Sequence, residues 1–149
     1  MSIYLRKATI EDAKDLLAWR NDPTTRENSF TKAEIDLETH LKWLQGKLLN
    51  EDHCLMLILM EDDVKLGHVR VDITNHIGEV SYMISPVFRG NGYGKKILQF
   101  MEKKLPMGVK TLVGFTVKEN IASGKCFLAN DYTEFAAGGV KCFIKELRK

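Results

Sequence analysis

Between Ser85 and Lys96 a strand-like run stops at Pro86 and gives way to Gly90, Gly92 and Gly94, then to a segment with Ile97, Leu98 and Met101 at helical spacing. Few folds accommodate that succession. Proline donates no backbone hydrogen bond and ends a ladder. Closely spaced glycines let the chain turn with its N–H groups pointing inward, and a helix N-terminus adds about half a positive charge. Arg89, Lys95 and Lys96 bring mobile cations to the same place. In residue chemistry this is an anion site at the start of a helix, suited to a pyrophosphate; a glycine-rich turn with no ligand is the alternative. The Walker pattern G-x-x-x-x-G-K-[ST] does not fit, because three residues separate Gly90 from Gly94-Lys95 and Lys96 stands where the hydroxyl belongs. Nor does the dinucleotide fingerprint, which needs G-x-G-x-x-G and an acid about twenty residues on; Gly108 to Thr111 holds none.

The flanking elements restrict the fold further. Ile3 to Ala8 reads as a short strand, and Thr9-Ile10-Glu11-Asp12 as a capped helix start with Leu16, Leu17 and Trp19 on its apolar face. Asn21-Asp22-Pro23 stops that helix, and Thr24 to Phe30 reads as a polar loop. Thr31-x-x-Glu34 is a second capping box, opening a helix to about Leu49. The period then changes from 3.6 to 2. His53–Met60, Val64–Ile73 and Glu79–Ser85 are strand-like, Gly92–Leu105 helical, Thr111–Val117 a strand and Ile121–Asn130 a helix. Tyr132–Phe135 and Val140–Leu147 form a closing hairpin around Gly138-Gly139. The order β-α-α-β-β-β-α-β-α-β-β predicts one mixed α/β (α+β) domain, 1–149, with a central, mostly antiparallel sheet flanked by helices.

Composition closes off other classes. The formal charge of +2 is too weak to argue for nucleic acid as a partner. Three widely spaced cysteines, Cys54, Cys126 and Cys142, with no CxxC pair, argue against a metal site or a disulfide framework and for a reduced, cytoplasmic setting. The stretch from Met1 to Lys7 lacks a signal-peptide core, and the apolar run Cys54–Met60 is too short to span a membrane.

Arg89-x-x-Gly92-x-Gly94, preceded by Tyr82-x-Ile84-x-Pro86, resembles the acetyl-CoA signature of the GNAT N-acetyltransferase superfamily, and Val117-Lys118-Glu119-Asn120 resembles that family's asparagine beside the pantetheine arm. The resemblance covers nearly the whole chain. It implies acetyl transfer from acetyl-CoA to a primary amine, without a metal. It also implies contacts to pantetheine from Met83 and Ile84 and to pyrophosphate from Arg89, Gly90, Asn91, Gly92, Tyr93, Gly94 and Lys95. Asn120, Ser123 and Lys125 would lie along the cofactor.

Such a transfer requires a base, because an amine attacks a thioester only when neutral. It also needs a donor for the carbonyl oxygen, and the leaving thiolate is helped by an acid. The family often places a tyrosine seven residues after the asparagine; here that position is Phe127. Tyr82 and Tyr132 are the other hydroxyls available, Tyr132 standing where the family has a packing phenylalanine. Glu79, at the start of the cofactor strand, is the candidate base or a solvated strand-end charge. His68 is a minor candidate; alternation places it on one face with Arg70 and Asp72, a face either solvated or part of the acceptor site.

On the acceptor side, Trp19-Arg20-Asn21-Asp22, Arg26, Ser29 and His40-x-x-Trp43 are similar to the branch holding ribosomal-protein N-terminal acetyltransferases and bacterial amino-sugar N-acetyltransferases, especially those acting on nucleotide-linked 4-amino sugars. That implies a small-molecule amine as partner, in a monomer or homodimer. Arg20 and Arg26 would hold a diphosphate, with Asn21, Phe30 and His40 beside them. Trp19 and Trp43 sit at helical spacing with leucines, a core pattern. A protein N-terminus or lysine is the alternative acceptor, and a CoA-binding domain without turnover a third reading.

Overall fold

The computed structural model describes residues 2–147; Met1, Arg148 and Lys149, which the expected domain 1–149 includes, lie outside the described residues. Seven strands form one sheet in the order β1-β2-β3-β4-β5-β7-β6. They are β1 Ile3–Lys7, β2 Cys54–Glu61, β3 Val64–Thr74, β4 Ile77–Ile84, β5 Thr111–Val117, β6 Thr133–Ala137 and β7 Val140–Glu146. Among the described residues only β4 and β5 run parallel. The helices are α1 Ala13–Asn21, α2 Pro23–Glu27, α3 Leu37–Leu49, α4 Tyr93–Glu102 and α5 Ile121–Ala129.

The sheet is covered on both faces, which is why β2 reads as an unbroken apolar run. Leu57 and Leu59 join α4 and α5 through Ile97, Leu98, Met101 and Phe127. Their neighbours Met56, Ile58 and Met60 pack with Ala13, Leu16 and Trp19 of α1 and Leu44 of α3. Trp19 is thus core, as its spacing implied, whereas Trp43 is 36% exposed.

Two expectations about the first helices are corrected. The Thr9 box forms: Thr9 Oγ1 accepts from the Glu11 N–H at 3.3 Å and Asp12 Oδ2 from the Thr9 N–H at 2.8 Å. It opens a 3-10 turn, Ile10–Asp12, before α1. Asp12 is buried and pairs with Arg6 at 2.8 Å and Lys65 at 2.7 Å, so the same carboxylate ties β1, α1 and β3 together. Asn21-Asp22-Pro23 ends α1 but also starts α2, with Asp22 Oδ2 accepting from the Thr24 and Thr25 N–H groups and Pro23 in the first turn. Half of the expected loop is therefore helical. The third helix begins at Leu37, capped by Asp36, rather than at the Thr31 box. The Asn21 side chain both donates to the Ile35 carbonyl and accepts from its N–H, tying the irregular segment 31–36 to the end of α1. Among the described residues no helix is long and apolar enough to cross a membrane.

Candidate active site

Strands β4 and β5 are paired only from Ile77↔Thr111 to Val80↔Gly114. Beyond that point β4 continues to Ile84 and β5 to Val117 without pairing, so the sheet opens into a split. Backbone groups of Ser81–Ile84 that face away from β3 have no β5 partner there. They can pair with an extended ligand and present an N–H to a developing oxyanion. A cleft of about 900 Å3 runs through this opening. It is bordered by β4, β5, the glycine segment, the start of α5, and residues 20–43 of the N-terminal half.

The phosphate end follows the sequence closely. Pro86–Phe88 makes a 3-10 turn, and Gly90 and Gly92 both take φ of 81°, a left-handed conformation that disfavours a side chain. Gly92 caps α4. A methyl group at Gly94 would lie 2.8 Å from Cys126 Sγ and 3.4 Å from the Tyr82 ring, so glycine lets α4 approach α5 and β4. Asn91 Nδ2 donates to the Phe88 carbonyl at 3.0 Å, closing the turn. Met83, Ile84, Arg89, Gly90, Gly92, Tyr93, Gly94, Asn120 and Ser123 border the cleft. Asn91, Lys95 and Lys125 do not; all three are exposed outside it. Asn120 Oδ1 accepts from the Ser123 N–H at 3.2 Å, capping α5 at the cleft edge. The opening, the glycine backbone and the α4 N-terminus fit a long cofactor with a pyrophosphate.

Of the three expected proton-transfer residues, two border the cleft. Glu79 stands one residue before the split, on the acceptor face of β4 with Ser81. Tyr82 points to the opposite face. Its ring lies beside Gly94 of α4, next to Cys126 of α5, and burial, reinforced by the neighbouring Cys126, pushes the hydroxyl well above the ordinary tyrosine value. Tyr132 does not reach the cleft. It is buried behind Phe127, ring centroids 5.0 Å apart, with Lys145 over its ring, so the expected hydroxyl there is a packing group. Phe127 itself is boxed in by Tyr82, Tyr132 and Phe143.

The residues expected to bind the acceptor depart further from expectation. Arg20, Phe30 and His40 border the cleft. Asn21 does not, being spent on Ile35. Arg26 also turns away: its Nε donates to the Asn21 carbonyl at 3.1 Å and its guanidinium lies 3.7 Å from Glu34. The expected Arg20–Arg26 diphosphate clamp is not formed. The second guanidinium on the wall is Arg70, 5.1 Å above the Trp43 ring and 2.9 Å from Asp72, which also takes Lys47 at 2.7 Å. His68 is not a surface residue; it is 4% exposed and borders the cleft with His40, 5% exposed and stacked on Trp43. Burial, then the Arg70 charge, pushes the His68 imidazole down to about 3, and burial lowers His40 against a hydrogen bond to the Ala13 backbone. Both rings are neutral at physiological pH.

Arg20 Nη1, His40 Nε2, His68 Nε2 and Thr116 Oγ1 are buried without hydrogen-bond partners, and all four residues border this cleft. An unpaired buried polar group costs about 1–3 kcal/mol. Arg20, His40 and His68 thus offer a bound molecule unpaired polar atoms along the N-terminal side of the cleft, and Thr116 offers one from β5. Thr116 and Cys126 border the cleft without a sequence signal of their own, because their placement depends on strand and helix packing, and Arg70 resolves to the cleft side of the two readings that alternation left open. The i,i+3 relation to Ser123 was the available signal for Cys126.

The family model described as the acetyltransferase (GNAT) domain matches residues 2–133. Among solved structures, a ribosomal L7/L12 alpha-N-protein acetyltransferase, RimL, in complex with coenzyme A superposes with a TM-score of 0.85 at 17% identity, covering 99% of this chain and 95% of that one. A ribosomal-protein-alanine N-acetyltransferase from Brucella melitensis superposes at 0.79 and 22% identity, covering 96% and 99%. An aminoglycoside acetyltransferase in complex with coenzyme A superposes at 0.81 and 14%, covering 97% and 95%. No curated protein sequence matches the chain. With a family model matched over most of its length and a split sheet that fits the cofactor, the chain belongs to the GNAT family and is an acetyl-CoA-dependent N-acetyltransferase.

Proposed function

We propose that the acceptor is the primary amine of an amino sugar carried on a nucleotide. The observation that supports this reading is the acceptor wall. Two guanidiniums, Arg20 and Arg70, and two neutral, buried imidazoles, His40 and His68, border one cleft beside the aromatic rings of Trp43 and Phe30. Guanidinium forks match phosphate oxygens, imidazole nitrogens match sugar hydroxyls, and an aromatic face takes a base or a sugar ring. The pairing differs from the sequence expectation in using Arg70 where Arg26 turns away.

Acetyl-CoA supplies an activated acetyl thioester. In the proposed chemistry the β4 backbone beyond Val80 aligns the thioester and donates an N–H to its carbonyl oxygen. Glu79, beside the point where the strands part, takes the ammonium proton directly or through a water. The Tyr82 hydroxyl, held protonated by burial, donates toward the leaving thiolate in place of the hydroxyl that Phe127 lacks. Arg89, Gly90, Gly92, Tyr93 and Gly94 hold the pyrophosphate at the α4 N-terminus.

The reading is tested by kcat/KM for matched acceptors: a nucleotide-linked amino sugar, the same amino sugar without the nucleotide, and peptides with free N-termini. A preference of at least about tenfold for the linked sugar, about 1.4 kcal/mol, is expected, and it should fall in Arg20→Ala. A peptide turned over faster than either sugar would refute it and favour the ribosomal-protein type of acceptor named for two of the structural neighbours.

A further inference from the structure

Arg89, the first residue of the phosphate segment, reaches the N-terminal half of the chain as well as the cleft. Its Nη1 lies 3.0 Å from Asp22 Oδ2, and its Nη2 donates to Thr25 Oγ1 at 2.6 Å. The same Asp22 oxygen accepts from the Thr24 and Thr25 N–H groups at 3.1 and 3.2 Å, capping α2. One carboxylate thus closes both the start of α2 and the grip on Arg89. Burial opposes the Asp22 charge, but the Thr25 N–H and Arg89 outweigh it and hold the carboxyl below its ordinary value. Asp22 is only 21% exposed at its side chain, so the pair is less screened than a typical surface ion pair.

What Arg89 grips is not a neutral part of the scaffold. Thr24, Thr25, Asn28, Ser29, Phe30 and Thr31 form one side of the acceptor cleft. The segment has few other anchors: α2 is five residues long with no buried residue, Arg26 reaches the Asn21 carbonyl and Glu34, and Arg20 and Asn21 bind the backbone of Thr31 and Ile35. A guanidinium offers five N–H donors in a rigid fork, so it can keep Asp22 and Thr25 while turning its remaining edge to a phosphate.

We propose that Asp22 and Thr25 are positioning residues that, through Arg89, couple cofactor binding to ordering of the acceptor wall, so that a filled phosphate site tightens residues 22–31 before the amine enters. The proposal rests on the placement of the pyrophosphate at Arg89. Coupling of this kind between two sites is reciprocal and typically amounts to about 5–150-fold.

The test needs no acceptor. Amide hydrogen exchange across residues 22–31 is measured on the whole protein with and without saturating CoA, in the wild type, Asp22→Asn and Thr25→Val, with CoA affinity measured alongside by calorimetry. Asparagine caps helices as well as aspartate does, so Asp22→Asn keeps α2 while removing the charge that holds Arg89. CoA should slow exchange in this segment at least about fivefold in the wild type, and less than about twofold in Asp22→Asn, which still binds CoA through the glycine backbone. Thr25→Val should fall between. Equal protection in the wild type and Asp22→Asn, or none in the wild type, overturns the coupling. Should Arg89→Ala bind CoA as tightly as the wild type, the phosphate placement itself is wrong, a failure the exchange data alone would not produce.

Discussion

Gly114 is the last β5 residue paired to β4 before the sheet opens, and the distal edge of the Phe127 ring points at it. A methyl group added at Gly114 would stand 2.6 Å from Phe127 Cε1, nearer still to Cζ, and 3.1 Å from Cε2. The ring cannot retreat easily. Phe143 stacks on it at 5.1 Å, Tyr132 meets it edge-on at 5.0 Å and Tyr82 at 5.9 Å, and Phe127 and Phe143 are almost fully buried. Overpacking of this kind costs about 1–3 kcal/mol, and a rigid aromatic box places Gly114→Ala at the upper end. For a domain of this size about 2–3 kcal/mol lowers Tm by about 6–12 °C. Thermal unfolding followed by circular dichroism reads it directly, and Phe127→Leu in the same chain should recover at least half of the loss. A drop in Tm below about 2 °C for Gly114→Ala would refute the packing. The same crowding bears on the chemistry. Phe127 Cζ faces Gly114, so Phe127→Tyr would drive a hydroxyl into β5 rather than supply an acid; it should destabilise the protein without raising kcat.

Three further outcomes are expected. Tyr82→Phe should lower kcat by about 10²-fold with little change in CoA affinity, read by thiol release under saturating acetyl-CoA. Glu79→Gln should lower kcat/KM for the amine by a similar factor and restore rate as pH rises and the free amine becomes abundant, read as a pH–rate profile. Asp12→Asn should cost about 3–5 kcal/mol at pH 7, since it strips charge from a buried carboxylate facing Arg6 and Lys65. Burial alone would raise the Asp12 carboxyl, but hydrogen bonds from Arg6, Lys65 and the Thr9 N–H hold it well below the usual range. Its contribution is therefore complete above the unfolded value of about 4 and lost as pH falls below it, so the difference in Tm between wild type and Asp12→Asn should shrink in acid.

The parts of this protein that read correctly from sequence are those fixed by local chemistry. Seven strands announced themselves by alternation or apolar runs. The phosphate segment did so by a proline, glycines that adopt positive φ at Gly90 and Gly92, and a helix start, all within twelve residues of chain from Ser85 to Lys96. The acceptor wall was less legible because its side chains are aimed by distant partners. Arg26 reads as a phosphate ligand, yet the Asn21 carbonyl and Glu34 take its guanidinium. The Thr31 capping box is sound in pattern, yet Asn21 takes both backbone groups of Ile35 and the helix starts at Leu37. Asp22-Pro23, read as a stop, is also a start. Arg70 and His68 share a face by simple alternation, but only the packing of the N-terminal helices decides that the face borders the cleft rather than bulk solvent. Counting from Asn120 located the missing hydroxyl at Phe127, though not that Tyr82 crosses beneath α4 to meet Cys126 and Ser123.

The cofactor is expected in the β4–β5 split with its pyrophosphate at Arg89 and the glycine turn. The most direct measurement is calorimetric affinity of the wild type and Arg89→Ala for two ligands, CoA and pantetheine, which lacks the pyrophosphate. Arg89→Ala should weaken CoA at least about tenfold, about 1.4 kcal/mol, and leave pantetheine unchanged. Equal losses for both ligands, or none for CoA, would contradict the placement.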